Sequence, residues 1–206
     1  MKRFLGTTTG KVLLSISALG VTAGVAGLGT FATFTSTTSA SQTAATGTMT
    51  IALGATGAST NRLTVNATGL VPGDTAQRSF NLSNTGSTDF STITMTSTAS
   101  PTSLLDSDAT NGLQMVVDRC SQAWTESGVS PAFTYTCAGT TTSIIASRAI
   151  IGSNLSMAGL SALTSGGTDY LRLTLTLPST AGNTFQGLSS TLTYTFTATQ
   201  AAAGNK

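Results

Sequence analysis

A strict alternation of apolar and polar residues most constrains how this chain can fold. Single threonines separate Leu192, Tyr194 and Phe196, and the segment from Tyr170 to Leu177 places four leucines on one face. Successive side chains of a β-strand point to opposite faces, so this pattern predicts strands with one buried and one solvated face. Burial on one face only is typical of antiparallel sheets.

The same period of two recurs along the chain, between turn signals such as Pro72-Gly73-Asp74 and Asn84-Thr85-Gly86. These segments predict an all-β fold, an antiparallel β-sandwich of jelly-roll type over residues 48–200, with 201–206 as a disordered tail. Residues 100–111 are predicted to form a loop. Residues 144–163 are apolar without a period, which predicts a short helix or an insertion covering the sheet edge. The other alternating segments are Met49/Ile51/Leu53, Leu63/Val65/Ala67, Phe80/Leu82, Ile93/Met95, Leu113/Met115/Val117 and Phe133/Tyr135/Cys137.

Composition agrees with strands and argues against most catalysis. Thr and Ser supply 43 and 26 of the 206 residues, and β-branched Thr suits a pleated surface. The chain has no His, which excludes a Ser-His-Asp triad, a Cys-His pair and an HExxH zinc helix. Its nine Lys and Arg residues are scattered, so they form no stripe that could follow nucleic-acid phosphates. We therefore predict no enzymatic activity, no cofactor and no nucleic-acid partner.

The N-terminus has the pattern of an export signal. Lys2, Arg3 and Lys11 precede the uncharged, apolar stretch 12–28. The alternative is a retained membrane anchor, although about 17 residues is short for a span. Small residues suit cleavage after either 31–33 or 38–40. Removal of the leader would change the formal net charge from +2 to −1, so the basic balance carries no information about partners.

Cys120 and Cys137 are the two cysteines of the chain. An even number of cysteines in an exported protein favours a disulfide, which would close a loop of about 16 residues. The alternative is two free buried thiols. Trp124 lies between them in sequence and is predicted to pack near the disulfide.

The acidic residues are the candidate metal ligands of this chain. Asp106, Asp108 and Asn111 could offer oxygen atoms to Ca²⁺, or could form a solvated turn with capping carboxylates, which is the interpretation we adopt. Together with Asp118 and Glu126, these carboxylates show no metalloprotease arrangement. No metal site is therefore predicted.

Three stretches together resemble the TasA/camelysin family, the exported matrix-fibre proteins of Gram-positive bacteria. The first is the leader junction, with its glycine run before an aromatic and a small residue. The second contains the two turns that bracket a strand, and the third is the closing hairpin. The stretches are Gly27–Ser36 with Gly47–Ile51, Leu70–Thr75 with Leu82–Gly86, and Leu177–Gly187 with Thr193–Gln200.

The resemblance implies a division of the N-terminus and a mode of assembly. A SipW-type signal peptidase would cut between Thr33 and Phe34, giving a signal peptide over 1–33 and a polar N-terminal arm over 34–47. Family members polymerise by donating an extended N-terminal strand to the next subunit. Here the donor would run from Phe34 to about Leu53, with Met49, Ile51 and Leu53 on one face. The membrane would be a partner only through an uncleaved leader.

The sequence thus predicts a secreted structural subunit of extracellular matrix or surface fibres, whose main partner is a second copy of itself. An exposed sheet edge is a template for another strand, and a head-to-tail contact that does not close produces a filament. The alternatives are a monomeric cell-surface adhesion or carbohydrate-binding β-sandwich and, third, a secreted enzyme. Some members of the resembled family are described as metalloproteases, but the missing His argues against this activity here.

Overall fold

A computed structural model describes residues 48–63, 66–68 and 70–202. The predicted signal peptide, the whole predicted arm over 34–47 and the last four residues lie outside this range. None of the helices in the described ranges is long and apolar enough to cross a membrane. The described residues form eleven β-strands, one α-helix and two 3₁₀ turns, which lie at Ser161–Leu163 and Asn183–Phe185. In chain order, the strands and the helix are β1 Ile51–Leu53, β2 Asn66–Thr68, β3 Thr75–Asn84, β4 Phe90–Ala99, α1 Leu104–Ser107, β5 Gln114–Cys120, β6 Thr125–Ser127, β7 Thr134–Thr136, β8 Thr141–Ala149, β9 Gly152–Ser156, β10 Thr168–Thr176 and β11 Ser189–Gln200.

The strands form two main sheets and one small hairpin. The five-stranded sheet has the order β1-β3-β10-β5-β8, and the four-stranded sheet has the order β2-β11-β4-β9. β6 and β7 pair only with each other. Every paired strand runs antiparallel to its neighbour. The predicted all-β antiparallel sandwich is confirmed, and its finer assignment as a jelly roll stays a prediction.

The core lies between the two sheets and is centred on β10. Leu171, Leu173 and Leu175 all point inward from this strand and are at most 1% exposed. The inward side chains of the opposite sheet meet them, and the rings of Phe80 and Phe196 approach to 5.4 Å across the interface. The alternation of leucine and polar residues along β10 therefore reflects the burial of one face of the strand, as predicted. This burial is favourable because each buried leucine removes apolar surface from water.

The outer surface of the four-stranded sheet is an array of threonines, here called the threonine face. Along β4 and β11 the outward positions of both strands are Thr, so that Thr stands opposite Thr in the ladder. No Asp, Glu, Lys or Arg occurs in any of the four strands of this sheet. The opposed pairs are Thr92 with Thr199, Thr94 with Thr197, Thr96 with Thr195 and Thr98 with Thr193.

Residues 144–163 differ from the sequence-based prediction. The stretch contributes most of β8, all of β9 and one 3₁₀ turn, so the predicted short helix or edge insertion is wrong. The cause is irregular pairing, since the register shifts twice between β5 and β8 and once between β4 and β9. An extra residue in a strand reverses the face of all later side chains, which removes the period of two from the sequence.

Residues 100–111, predicted as a loop, contain the short helix α1. The side chain of Ser103 accepts a hydrogen bond from the backbone N–H of Leu105, and the Asp106 carboxylate accepts one from the backbone N–H of Ser103. This reciprocal pair is a capping box, which satisfies N–H groups that the first helical turn leaves without partners. A four-residue helix has too few positions to show a period of 3.6 in the sequence.

Candidate functional site

β1 is the first strand of the described residues and lies at one edge of the five-stranded sheet. Ile51 pairs with Asn84 of β3 and packs against the core, whereas Met49 and Leu53 are 44% and 39% exposed. Of the residues predicted for the assembly arm, these three are therefore described, with only Ile51 turned towards the core. Phe34 and the predicted cleavage position after Thr33 lie outside the described residues.

The opposite edge of the same sheet is formed by β8. Its outer side has no neighbouring strand among the residues that the structure describes. Most of its side chains are exposed, and Arg148 is its only charged residue. Lysines, prolines and covering loops are the usual devices that protect such an edge from pairing with another chain. β8 contains neither lysine nor proline.

A shallow apolar groove lies beside this edge. It has a volume of about 450 Å³ and is bounded by the end of β4, the helix α1 and the turn from β8 to β9. Ile151 in that turn is 37% exposed, which is high for a large apolar side chain. The residues that line this β8–β9 groove include Thr98, Ala99, Thr102, Ala109, Ala149 and Ile151.

Cys120 and Cys137 form the predicted disulfide, with their Cα atoms 5.7 Å apart. The closed loop contains β6 and β7, which lie against the outward face of the five-stranded sheet. The Trp124 indole N–H donates to the backbone oxygen of Tyr170 at 3.0 Å, directly across the ladder from Cys120. The Arg172 guanidinium lies 4.4 Å from the centre of the Trp124 ring. The predicted packing of Trp124 near the disulfide is confirmed.

An ion pair fastens this hairpin to the loop that follows β1. Arg62 donates from Nη2 and Nε to the two carboxylate oxygens of Glu126, at 2.7 and 3.0 Å, and the Tyr135 hydroxyl donates to Glu126 at 2.8 Å. The hydrogen bond from Arg62 lowers the pKa of Glu126, while burial raises the pKa of Tyr135. Sequence reasoning missed this cluster because Arg62 and Glu126 are 64 positions apart, with no local pattern linking them.

The acidic residues of the chain are all described, and all of them accept hydrogen bonds within the fold. Asp106 caps α1, as predicted, but it is buried in the helix instead of lying in a solvated turn, and it also accepts from Ser190. Asp108 accepts from the backbone of residues 110 and 111. The acceptor roles of the others are Asp74 for Val71, Asp89 for Ser165, Asp118 for Arg172, Glu126 for Arg62, and Asp169 for Ser161 and Ala162.

These contacts leave no ligand set for a catalytic zinc ion. Such a site needs three protein ligands drawn from His, Cys and carboxylates. The chain has no His, its two cysteines are bonded to each other, and no three such side chains cluster within the described ranges. The donor atoms of this chain therefore do not fit a metallopeptidase centre.

Replacing both cysteines tests the role of the disulfide. We expect Cys120→Ala/Cys137→Ala to lower the free energy of unfolding by about 3 kcal/mol, because the unfolded chain regains the freedom of the closed loop. Urea titration measures the difference, and Thr195→Ala on the threonine face serves as a control expected to change little. Thiol labelling of the denatured wild type should find no free cysteine, and two labelled thiols would contradict the bond.

The Glu126 cluster predicts a pH dependence. Because the folded-state pKa of Glu126 is below its ordinary value of 4.5, its contribution to stability is complete at neutral pH. It is lost as the pH falls from about 4.5 through the lower folded-state pKa. We expect Glu126→Gln to destabilise the protein at pH 7 and to cost progressively less towards pH 3, measured by urea unfolding. An unfolding difference that stays constant with pH would contradict this assignment.

No curated protein matches this chain. The model of the camelysin metallo-endopeptidase family matches residues 8–205, which is nearly the full length. The sequence resemblance to TasA and camelysin, drawn from the two ends of the chain, is thereby confirmed and extends through the centre. The chain belongs to the camelysin family, described as camelysin metallo-endopeptidase.

Proposed function

We propose that this protein is a secreted structural subunit that assembles head-to-tail into extracellular matrix or surface fibres. Membership of the TasA/camelysin family supports a structural or matrix protein in general. In the proposed assembly, an N-terminal strand of one copy pairs with an open sheet edge of the next. The uncleaved leader would hold the chain at the membrane until a signal peptidase cuts between Thr33 and Phe34.

The observation that carries the proposal is the position of β1 and β8 in the five-stranded sheet. The chain enters the sandwich through β1 at one edge of the sheet, and the open strand β8 forms the other edge. A segment that precedes β1 and pairs with β8 of the next copy makes a contact between two different surfaces. Such a contact repeats without closing, which produces a filament.

The chain before β1 has the length and composition of a donor strand. Residues 34–47 are uncharged and rich in Thr, Ser and Ala, with Phe34 as the one aromatic residue. Fully extended, 14 residues span about 46 Å, whereas the nine residues of β8 need about 30 Å. Strand addition supplies main-chain hydrogen bonds, and alternate side chains fill pockets beside the edge. The β8–β9 groove is such a pocket. Since Ile51–Leu53 already pair within their own chain, the donor ends before β1.

The proposal includes the absence of peptidase activity, in contrast to the description of the family. A metallopeptidase holds its metal through side chains that are free to coordinate it. Here every carboxylate accepts hydrogen bonds that support a turn, a helix cap or an ion pair, and no imidazole exists. Recruiting three of them would break separate parts of the fold.

Filament formation tests strand donation. We expect deletion of residues 34–47 to abolish filaments seen by electron microscopy, and Thr142→Lys on the edge strand β8 to reduce them strongly, because an edge lysine opposes pairing. Thr94→Lys, on the threonine face of β4 with a paired strand on each side, is the matched control and should leave filaments intact. N-terminal sequencing of the secreted protein should begin at Phe34.

Two outcomes would refute this mode of assembly. Filaments that persist unchanged after the deletion would show that residues 34–47 are not the donor. Equal loss of filaments in Thr142→Lys and Thr94→Lys would show that edge β8 is not the acceptor. A protein that stays monomeric and binds polysaccharide without its arm would instead favour the adhesion alternative.

A peptidase assay tests the non-enzymatic assignment. The purified protein should hydrolyse casein no faster than a buffer blank, and added zinc or chelator should change nothing. Hydrolysis that copurifies with the protein, disappears with chelator and returns with zinc would overturn the assignment.

A further inference from the structure

The arginines of the described residues differ in how their charges are balanced. Arg62, Arg119 and Arg172 each pair with a carboxylate. Arg148 is exposed, so water solvates its charge. Arg78 is 6% exposed and has no carboxylate partner in the described part of the chain. Among the described residues it makes one hydrogen bond, from Nη1 to the backbone oxygen of Gln77 at 2.6 Å. The other guanidinium nitrogens are not among the fully buried side-chain atoms without a partner, so their N–H groups are open to solvent or to a ligand.

Arg78 lines a cavity of about 170 Å³ between the loop after β1 and the β6–β7 hairpin, here called the Arg78 cavity. The ring of Phe133 lies 4.4 Å from the guanidinium carbon of Arg62 and 5.7 Å from that of Arg78. Arg78 and Phe133 therefore place a cation and an aromatic wall at the same small opening. The other lining residues are Thr56, Gly57, Asn61, Arg62 and Ser130.

The charges around the Arg78 cavity select the kind of ligand. Glu126 binds Arg62 through both carboxylate oxygens and compensates its charge, which leaves the single positive charge of Arg78. A ligand with one negative charge would neutralise the site, whereas a ligand with two would leave one negative charge uncompensated. The planar guanidinium matches a carboxylate, because two parallel N–H groups can donate to its two oxygens.

We propose that the Arg78 cavity binds the carboxylate group of an organic acid, held by Arg78 and enclosed by Phe133. The volume suits a carboxylate on a body of a few atoms. The same chemistry is offered by a free small acid and by the uronic acid of a matrix polysaccharide. The site lies wholly in the described sandwich and does not depend on fibre assembly.

Titration of the full-length protein followed by nuclear magnetic resonance tests the site directly. The probes are acetate and glucuronate, with acetamide as the neutral isostere of acetate and sulfate as a divalent anion. We expect saturable shifts of the Arg78 Nε–H signal and of the Phe133 and Ser130 amides with both carboxylates, and none with acetamide. Sulfate should bind more weakly than acetate. Tighter binding of glucuronate than acetate would identify a sugar acid as the source, and equal binding would identify a free acid.

Substitutions of single arginines distinguish binding in the Arg78 cavity from non-specific attraction of anions to the protein. Arg78→Met should weaken carboxylate binding at least about tenfold, since it removes charge-assisted hydrogen bonds. Arg78→Lys keeps the charge without the planar fork and should fall in between. Arg148→Met removes the other arginine without a carboxylate partner and should change nothing. The proposal is overturned if the wild-type shifts do not saturate, or if they follow Arg148 rather than Arg78. The wild-type titration decides the matter even if Arg78→Met does not fold.

Discussion

The burial of the β10 leucines is the interaction on which the rest of the molecule depends. β10 is the middle strand of its sheet, paired with β3 on one side and β5 on the other. Because Leu171, Leu173 and Leu175 must face the core, the outward face of the strand is fixed as well. That face presents Tyr170 and Arg172, which hold Trp124 and the disulfide-closed hairpin. A slip of one residue would turn the leucines to solvent and the arginine into the core.

The regular strands of this fold follow from the sequence, and the irregular ones do not. The residues of β10 and β11 alternate so strictly that their direction of burial could be predicted one residue at a time. β8 and β9 escaped prediction because bulges shift their register, so Ile144 and Ile145 stand side by side in the sequence without a period. The order of the strands in the sheets is also a non-local property, since β3 pairs with β10 across about ninety positions.

The functional features of the chain could likewise be predicted from the sequence only in part. The bond between Cys120 and Cys137 was predictable because two cysteines in a chain that is predicted to be exported have few alternatives. The missing His argues from the sequence alone against a histidine-ligated zinc centre. The surroundings of Arg78 were not predictable, because they combine a loop, a strand and a hairpin tip that come together only after folding. Their residues are separated in the sequence by intervals that no local pattern relates.

The threonine face has a consequence for how the protein responds to its surroundings. Its hydroxyl groups neither gain nor lose protons in the ordinary pH range, and the four strands beneath carry no formal charge. Water on this surface is therefore held by neutral hydrogen bonds, which counter-ions do not screen. Salt concentration and pH should therefore change the hydration of the threonine face little, because the charged side chains of the described residues lie in the other sheet, the β6–β7 hairpin, α1 and the loops.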